Sequence, residues 1–410
     1  MESTNPFTKD LLFNHVHHTD IQLYKIIEDS NHVFKKWANL ALCDRRKLNL
    51  VLAANLDKGK LKYAALISAE MGKPIKESIA EIEKCIWLCK HYSTEESIDI
   101  QSINIITEAS NVFVSYEPIG VLFAIMPWNF PFWQVFRFAI PAITVGNTVI
   151  LKHAPNVNGC GIAIEQLFKD SGYPSHVFST IIIPAKRSEV VISHPYVKGI
   201  TLTGSELAGK SVAALCGKYL KKCILELGGS DPFIVFEDAD LELCCTAGLR
   251  SRMLNAGQVC IAAKRFIVHR SLYQHFIEFQ LKKITDLVCG DPMDEKTEIG
   301  PMARPDLVDQ LDNQIKQSID LGAKLLCGGK RSKLHPQIYE PSLLIDIQPN
   351  MPVFKDETFG PVMAIMPFDT EEEALELANN SRFGLGASIW TKDLAKAKRL
   401  LSKLEAGAVF

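Results

Sequence analysis

Cys260 stands in the run Asn255-Ala256-Gly257-Gln258-Val259-Cys260-Ile261-Ala262-Ala263-Lys264-Arg265. Upstream, Glu226 stands in Leu225-Glu226-Leu227-Gly228-Gly229-Ser230-Asp231-Pro232. A thiol and a carboxylate together can run acyl chemistry: the thiolate attacks a carbonyl carbon, and the carboxylate activates the water that releases the acyl group. Singly, each residue reads more simply. A cysteine is usually a small buried hydrophobe, and a glutamate usually a solvated surface charge. The setting lifts the pair, because a glycine lies within three residues of each, between strand-like segments, where backbone must approach a ligand.

Other segments carry polar groups on rigid turns. In Pro127-Trp128-Asn129-Phe130-Pro131 two prolines fix the backbone and leave the Asn129 amide projecting, with a plain surface turn as the equal alternative. Thr203-Gly204-Ser205-Glu206-Leu207-Ala208-Gly209 follows a strand and opens a helix. Free amides and partial positive charge make such a helix start suited to phosphate, although the turn is generic and no G-x-G-x-x-G fingerprint is present. Leu151-Lys152-His153-Ala154-Pro155 closes another strand, and Glu357-Thr358-Phe359-Gly360-Pro361 precedes one. Arg137 lies eight residues past Asn129 on the helix expected there; it is either a ligand for an anion or half of a salt bridge.

In this order these blocks resemble the aldehyde dehydrogenase superfamily, from about Asn5 to Phe410. The resemblance implies that Cys260 is the nucleophile, that Glu226 activates the hydrolytic water, and that Asn129 and the Cys260 backbone N–H form an oxyanion hole. Such a donor is typically worth about 3–4 kcal/mol of barrier. It places Thr203, Gly204 and Ser205 at a cofactor pyrophosphate, and Lys152, His153, Ala154 and Pro155 by the adenosine ribose. Trp128 and Leu227 line the cofactor site, Glu357 binds the nicotinamide ribose, and Phe359 packs near the ring. The cofactor is NADP or NAD: where many members carry an acidic residue on the 2′-hydroxyl, Pro155 offers no carboxylate to repel a 2′-phosphate, which mildly favours NADP. The Lys152–Val157 and Glu226–Val235 runs look most like the bacterial succinate-semialdehyde dehydrogenases, in which an arginine at the place of Arg137 grips a distal carboxylate. The alternatives are an acyl-phosphate or acyl-CoA reductase, against which Glu226 argues, and a relative that only binds nucleotide.

These groups need elements to hold them. Apolar residues such as Ile26, Val33, Phe34, Trp37 and Leu40 recur at helical spacing between Asp20 and about Ser97, with breaks at Gly72 and Pro74. From Ile105 to Val121 the pattern alternates and turns at Pro118-Ile119-Gly120, a hairpin that the resemblance assigns to oligomerisation. Short apolar runs at Val121–Met126, Thr148–Leu151, Val177–Ile183, Ile200–Thr203 and Cys223–Leu225 then alternate with helix-length segments. A second series follows, with strands at Phe233–Phe236, Arg265–His269 and Ala364–Phe368. The expected fold is α/β, with two Rossmann-like parallel-sheet domains. Residues 1–225 form the cofactor domain and 226–410 the catalytic one.

Length and composition agree. The chain has 410 residues, too many for one small core. A net charge of −2 leaves no footprint for nucleic acid or a membrane surface. The N-terminus lacks the cationic start and apolar core of a secretory signal, and Val121–Leu151 is interrupted by polar residues and prolines, so no membrane span is expected. The eleven cysteines contain no CxxC pair and no zinc-ligand spacing. No metal is expected, and a reducing cytoplasm suits the chain. The motifs run into Glu405–Phe410 inside a strand-like run, where family members continue for several dozen residues. Ala408, Val409 and Phe410 should therefore lie in a core, and the expectation is a chain prone to associate and slower than a longer relative. A homo-oligomer is what the resemblance implies.

Overall fold

The chain opens with a short antiparallel pair, β1 (Glu2–Thr4) and β2 (Leu11–Asn14), and then turns helical. This is seen in a computed structural model describing residues 1–98 and 100–410. Thr19 starts α1 (Asp20–Trp37): its hydroxyl accepts from the Gln22 N–H at 3.3 Å, and the Gln22 side chain accepts from the Thr19 N–H at 2.8 Å. Two amides that a helix start leaves unpaired are thereby satisfied. Next come α2 (Leu42–Lys58), α3 (Lys60–Met71) and α4 (Ile75–His91). Gly72 ends α3 with φ +81°, a backbone state glycine takes without cost.

A small hairpin, β3 (Ile103–Asn104) with β4 (Phe113–Val114), follows. Its bend falls at residues 107–110, not at Pro118–Gly120 as expected from the sequence. The latter turn has another partner: the amides of Ile119 and Gly120 donate to Asn147 Oδ1 at 2.9 and 3.2 Å, feeding the chain into β5 (Val121–Met126). The series continues through α5 (Trp133–Thr144), β6 (Thr148–His153), α6 (Asn158–Asp170), β7 (Phe178–Thr180), α7 (Ser188–Ile192), β8 (Val197–Thr203), α8 (Glu206–Lys218) and β9 (Lys222–Glu226). These strands form a five-stranded parallel sheet in the order β7-β6-β5-β8-β9.

The second series comprises β10 (Asp231–Val235), α9 (Leu241–Met253), β11 (Ala263–His269), α10 (Arg270–Thr285), α11 (Pro305–Asp320), β12 (Lys324–Cys327) and β13 (Ser342–Ile345). It ends with α12 (Pro352–Lys355), β14 (Val362–Phe368), α13 (Glu371–Asn379), β15 (Gly386–Trp390), α14 (Leu394–Leu401) and β16 (Ala408–Val409). The seven-stranded sheet runs β12-β13-β14-β11-β10-β15-β16 and is parallel except for edge strand β12. Along its central strands alternate residues enter opposite cores. Phe233, Val235, Phe266 and Val268 face one cluster, while Ile234, Phe236 and Ile267 face the other. That is why these strands read as unbroken apolar runs. At the edge, Val409 packs partly on the core, but Phe410 is 83 % exposed. The expectation that all three terminal residues are buried is thus corrected, since an edge strand has a neighbour on one side only.

The chain divides into two compact units. One contains Met1–Thr4, Asp10–Glu70 and Ser78–Glu226; the other contains Asn5–Lys9, Met71–Glu77 and Leu227–Phe410. Glu226, expected to open the second domain, ends β9 in the first unit, because its backbone pairs with Thr203 of β8. Among the described residues no helix is long and apolar enough to cross a membrane, and no group of three or more His, Cys, Asp or Glu is placed to hold a metal ion.

Aromatic packing anchors the first unit. Phe168 is 1 % exposed, stacks on Phe178 at 4.6 Å and meets Tyr173 edge-on at 4.9 Å. Phe168→Ala removes both contacts and leaves a cavity, so unfolding free energy should fall by roughly 3–5 kcal/mol, checked by denaturant titration.

Candidate active site

The first unit gathers its polar groups where the strand order reverses. β5 is followed in sequence by β6, yet its other neighbour is β8. The connections therefore diverge there, and the carboxyl ends of the strands leave a crevice that suits a ligand. Asn129 follows β5, Lys152 and His153 end β6, Thr203 ends β8, and Glu226 ends β9 beside Thr203.

The turn carrying Asn129 is held from two sides. Glu81 on α4 accepts from the Phe132 and Trp133 amides at 2.8 and 3.0 Å, capping the start of α5 with a negative charge. His153 Nε2 lies 2.8 Å from the Pro131 carbonyl, while the Ala154 N–H reaches His153 Nδ1 at 3.0 Å. Those two contacts require the Nε2–H tautomer. Burial holds the His153 pKa down to about 4, so the ring is neutral. It is also 1 % exposed. His153 thus supports the loop from inside with its side chain. Asn129 and Trp128 are both buried.

Lys152 is buried and without an ion-pair partner among the described residues; burial pushes its pKa below the ordinary lysine range. An ammonium so placed suits an anion. Pro155 is exposed, and Ala154 is partly so. At α8, the Ser205 hydroxyl caps the helix by accepting from Ala208 N–H at 3.3 Å, and Gly204 N–H donates to the Glu226 carbonyl at 3.0 Å. Arg137 Nη2 sits 3.5 Å from Glu226 Oε2 and 3.5 Å from Thr203 Oγ1. Both charged side chains are a third or more exposed, so this pair adds little stability. Arg137 also lines a cavity of about 410 Å³ with Tyr92, Phe138 and Pro141.

In the second unit the chemistry sits at the opposite ends of the strands. Cys260, Gly229 and Glu357 all precede strands, namely β11, β10 and β14. The cysteine loop is unusual: Asn255, Ala256 and Gly257 are consecutively left-handed, with φ of 53°, 51° and 72°. For alanine this costs about 1–2 kcal/mol, and its surroundings impose it. Asn255 N–H donates to Glu77 at 2.8 Å, Gln258 Nε2 to the Asn255 carbonyl at 3.0 Å, and Ala303 N–H to Gln258 Oε1 at 3.0 Å.

Two buried cations hold this loop to the one carrying Glu357. Arg252 Nη2 donates to the carbonyls of Gly257 at 3.0 Å and Thr358 at 3.1 Å, and also to that of Gly360. Lys264 Nζ donates to the carbonyls of Val259 at 2.9 Å and Cys260 at 2.7 Å, and lies 3.6 Å from Glu357 Oε1. Burial lowers the pKa of Arg252 to about 10 and that of Lys264 to about 8, with Glu357 opposing both shifts. Burial raises the Glu357 pKa, against the pull of Lys264. Glu357 accepts from Gly229 N–H at 3.2 Å. A Cβ at Gly228 would collide with its carboxylate, and one at Gly229 would come within 2.8 Å of the Cys260 carbonyl. Cys260, Leu227 and Phe359 are all partly exposed.

Sequence reading missed Arg252, Lys264, Glu81 and Glu77. The adjacent cations Lys264-Arg265 at the head of an apolar strand were the one available signal. At Gly257 an added Cβ would meet the Gly360 backbone. Gly257→Ala should therefore lose at least about 2 kcal/mol from left-handed strain and overpacking, lowering Tm by roughly 4–8 °C. Gly217→Ala, in α8 with open space around the new methyl, should be neutral or slightly stabilising by the same melting assay.

The model of the aldehyde dehydrogenase family matches residues 1–410. The succinate semialdehyde dehydrogenase Sad, NAD(P)+-type, of Escherichia coli (strain K12) is 44 % identical over 349 residues, covering 85 % of this chain and 76 % of its own. The NADP+ succinate-semialdehyde dehydrogenase of Deinococcus radiodurans is 36 % identical over 409 residues, covering 100 % and 86 %. The crystal structure of the Streptococcus pyogenes succinic semialdehyde dehydrogenase with NADP+ is similar at a TM-score of 0.96 and 33 % identity, covering 100 % of this chain and 90 % of that one. The chain belongs to the aldehyde dehydrogenase family.

Proposed function

We propose that the protein oxidises succinate semialdehyde to succinate with NADP, through a thioester on Cys260. Beyond the names of its relatives, the observation that carries the substrate is Arg137, a residue lining an otherwise largely apolar cavity, whose guanidinium lies 3.5 Å from the Glu226 carboxylate and is a third exposed. A carboxylate at the far end of a short aldehyde matches that fork. We assign cofactor binding to the first unit and the nucleophile to the second.

The residues fit the cofactor. Lys152, buried without a carboxylate partner among the described residues, suits a 2′-phosphate. Gly228 and Gly229 leave room where side chains would collide with Glu357 and the Cys260 loop, and Glu357 offers a carboxylate to ribose hydroxyls. Bound NADP supplies the hydride acceptor. The Cys260 thiolate adds to the aldehyde carbon, and the Asn129 amide and Cys260 N–H steady the resulting oxyanion. Loss of hydride from that carbon leaves the thioester. Glu226 then takes a proton from water, the hydroxide displaces the Cys260 sulfur, and the acid departs. With its side chain 43 % exposed, Glu226 has access to the water it would activate.

The exposed hairpin, with Ile103 and Phe113 each 53 % exposed and Ile106 fully so, is the element we assign to subunit contact. Its apolar surface is left open by the described residues. Eleven free cysteines suit a reducing compartment, which we take to be the cytoplasm.

Two experiments test the reaction. Arg137→Met should lower kcat/KM for succinate semialdehyde by about ten- to a hundredfold while leaving an uncharged aldehyde of similar length little changed, because a charge-assisted pair is worth roughly 1.5–3 kcal/mol. Equal losses on both aldehydes would make Arg137 a partner of Glu226 instead. Glu226→Gln should keep a pre-steady-state burst of reduced cofactor and lose steady turnover, whereas Cys260→Ala should lose both.

A further inference from the structure

Lys264 stands apart from everything the proposed reaction uses. It is fully buried, it belongs to β11, and yet its side chain turns back to the loop before the strand. Its ammonium meets the carbonyls of Val259 and Cys260 at 2.9 and 2.7 Å and approaches that of Ala262 at 3.5 Å. Its fourth neighbour is the Glu357 carboxylate at 3.6 Å. A structural lysine could be replaced by an apolar side chain at small cost. Here three carbonyls around the thiol-bearing residue and one carboxylate converge on a single charge.

We propose that Lys264 is a positioning residue that couples the two loops: it holds the Cys260 backbone and supplies positive potential to the thiolate, and Glu357 modulates that potential. The inference rests on Cys260 being the nucleophile and Glu357 belonging to the cofactor site. A thiolate is favoured beside a buried cation. A carboxylate on the same cation partly cancels the effect. Groups that draw Glu357 toward a ribose leave more of the lysine's field at the cysteine, so cofactor occupancy and thiol reactivity become linked through one ammonium.

The electrostatic neighbours of Lys264 are Glu357, Arg252, Asp231 and Cys260. Arg252 repels it, while the two carboxylates favour its charged form. With its pKa near 8, the clamp is charged at pH 7 and is lost as pH rises through about 8. Asp231, whose pKa burial raises to about 6, is ionised across that window and does not reverse the sign.

The test measures the alkylation rate of Cys260 by iodoacetamide against pH, with the labelled peptide identified, in the intact chain without substrate. Lys264→Met should shift the Cys260 profile upward by about one pH unit and slow labelling at pH 7 about tenfold, a one-unit shift being a tenfold change in the thiolate ratio. Glu357→Gln should shift it the other way and speed labelling at pH 6, far enough below the Lys264 pKa for the ammonium to stay charged without that carboxylate, besides raising the KM for NADP. Opposite shifts from the two partners of one ion pair are not produced by loosened packing. Profiles unmoved in folded variants, or moved in the same direction, would overturn the inference. Should Lys264→Met fail to fold, the Glu357→Gln arm decides alone: an unchanged or raised profile overturns the proposal, and a lowered one supports it. If Cys260 is not preferentially labelled even in the unaltered chain, the reading of the nucleophile fails first, and the two failures are distinguishable.

Discussion

A cation taken out of water must be solvated by the protein itself, and in the second unit that requirement organises the reactive loops. Arg252, Lys264 and Arg265 are all buried, and each is surrounded largely by backbone carbonyls. Arg252 binds those of Gly257, Thr358 and Gly360; Arg265 binds those of Ser230, Leu377 and Ala378. The carbonyls of Gly257, Thr358 and Gly360 belong to loops, whereas those of Leu377 and Ala378 lie in the last turn of α13, where helix carbonyls lack partners. The left-handed run at Asn255–Gly257 carries one of the loop carbonyls that Arg252 binds. Its strain persists because breaking it would leave a guanidinium desolvated and unbonded, a larger cost than a few strained residues.

The two sheets place chemistry at opposite ends. In the first unit the polar groups follow the carboxyl ends of parallel strands, where the reversal of strand order opens a crevice. In the second they precede strands β10, β11 and β14, so the loops entering the sheet carry Gly229, Cys260 and Glu357. A loop before a strand points backbone amides outward. This suits the role proposed for Cys260, whose own N–H would meet a developing negative charge. Arg137 and Glu226, each a third or more exposed, pair with one another within reach of water, whereas Arg252 and Lys264 are enclosed by the protein.

His153 shows what burial makes of a polar side chain at the end of a strand. Its position at the end of β6, next to Lys152, resembles a ligand-facing pair. Alternation along a strand instead sends the two side chains to opposite faces, so Lys152 and His153 cannot both meet one ligand. Lys152 has no ion-pair partner among the described residues, and His153 becomes a neutral brace for the Asn129 turn. A residue adjacent to a site can matter for that site without touching anything bound there.

From the sequence alone the fold class, the five strands of the first sheet and strands β10, β11 and β14 of the second were legible, since doubly buried parallel strands read as apolar runs, whereas β13 and β15 were not. The bend of the hairpin was not legible. Pro118–Gly120 has a turn composition, and only the distant Asn147 side chain shows that it anchors β5 instead. Nor was the antiparallel edge strand β12, because pairing direction depends on which neighbour is available and not on residue type. Arg252 and Lys264 look from sequence like ordinary charges of a helix and a strand end. Local chemistry therefore determined which atoms could react, because reactivity belongs to side-chain type and short spacing. Tertiary structure alone decided what holds those atoms, because burial turns a solvated charge into a group that must collect its ligands from loops far apart in the chain.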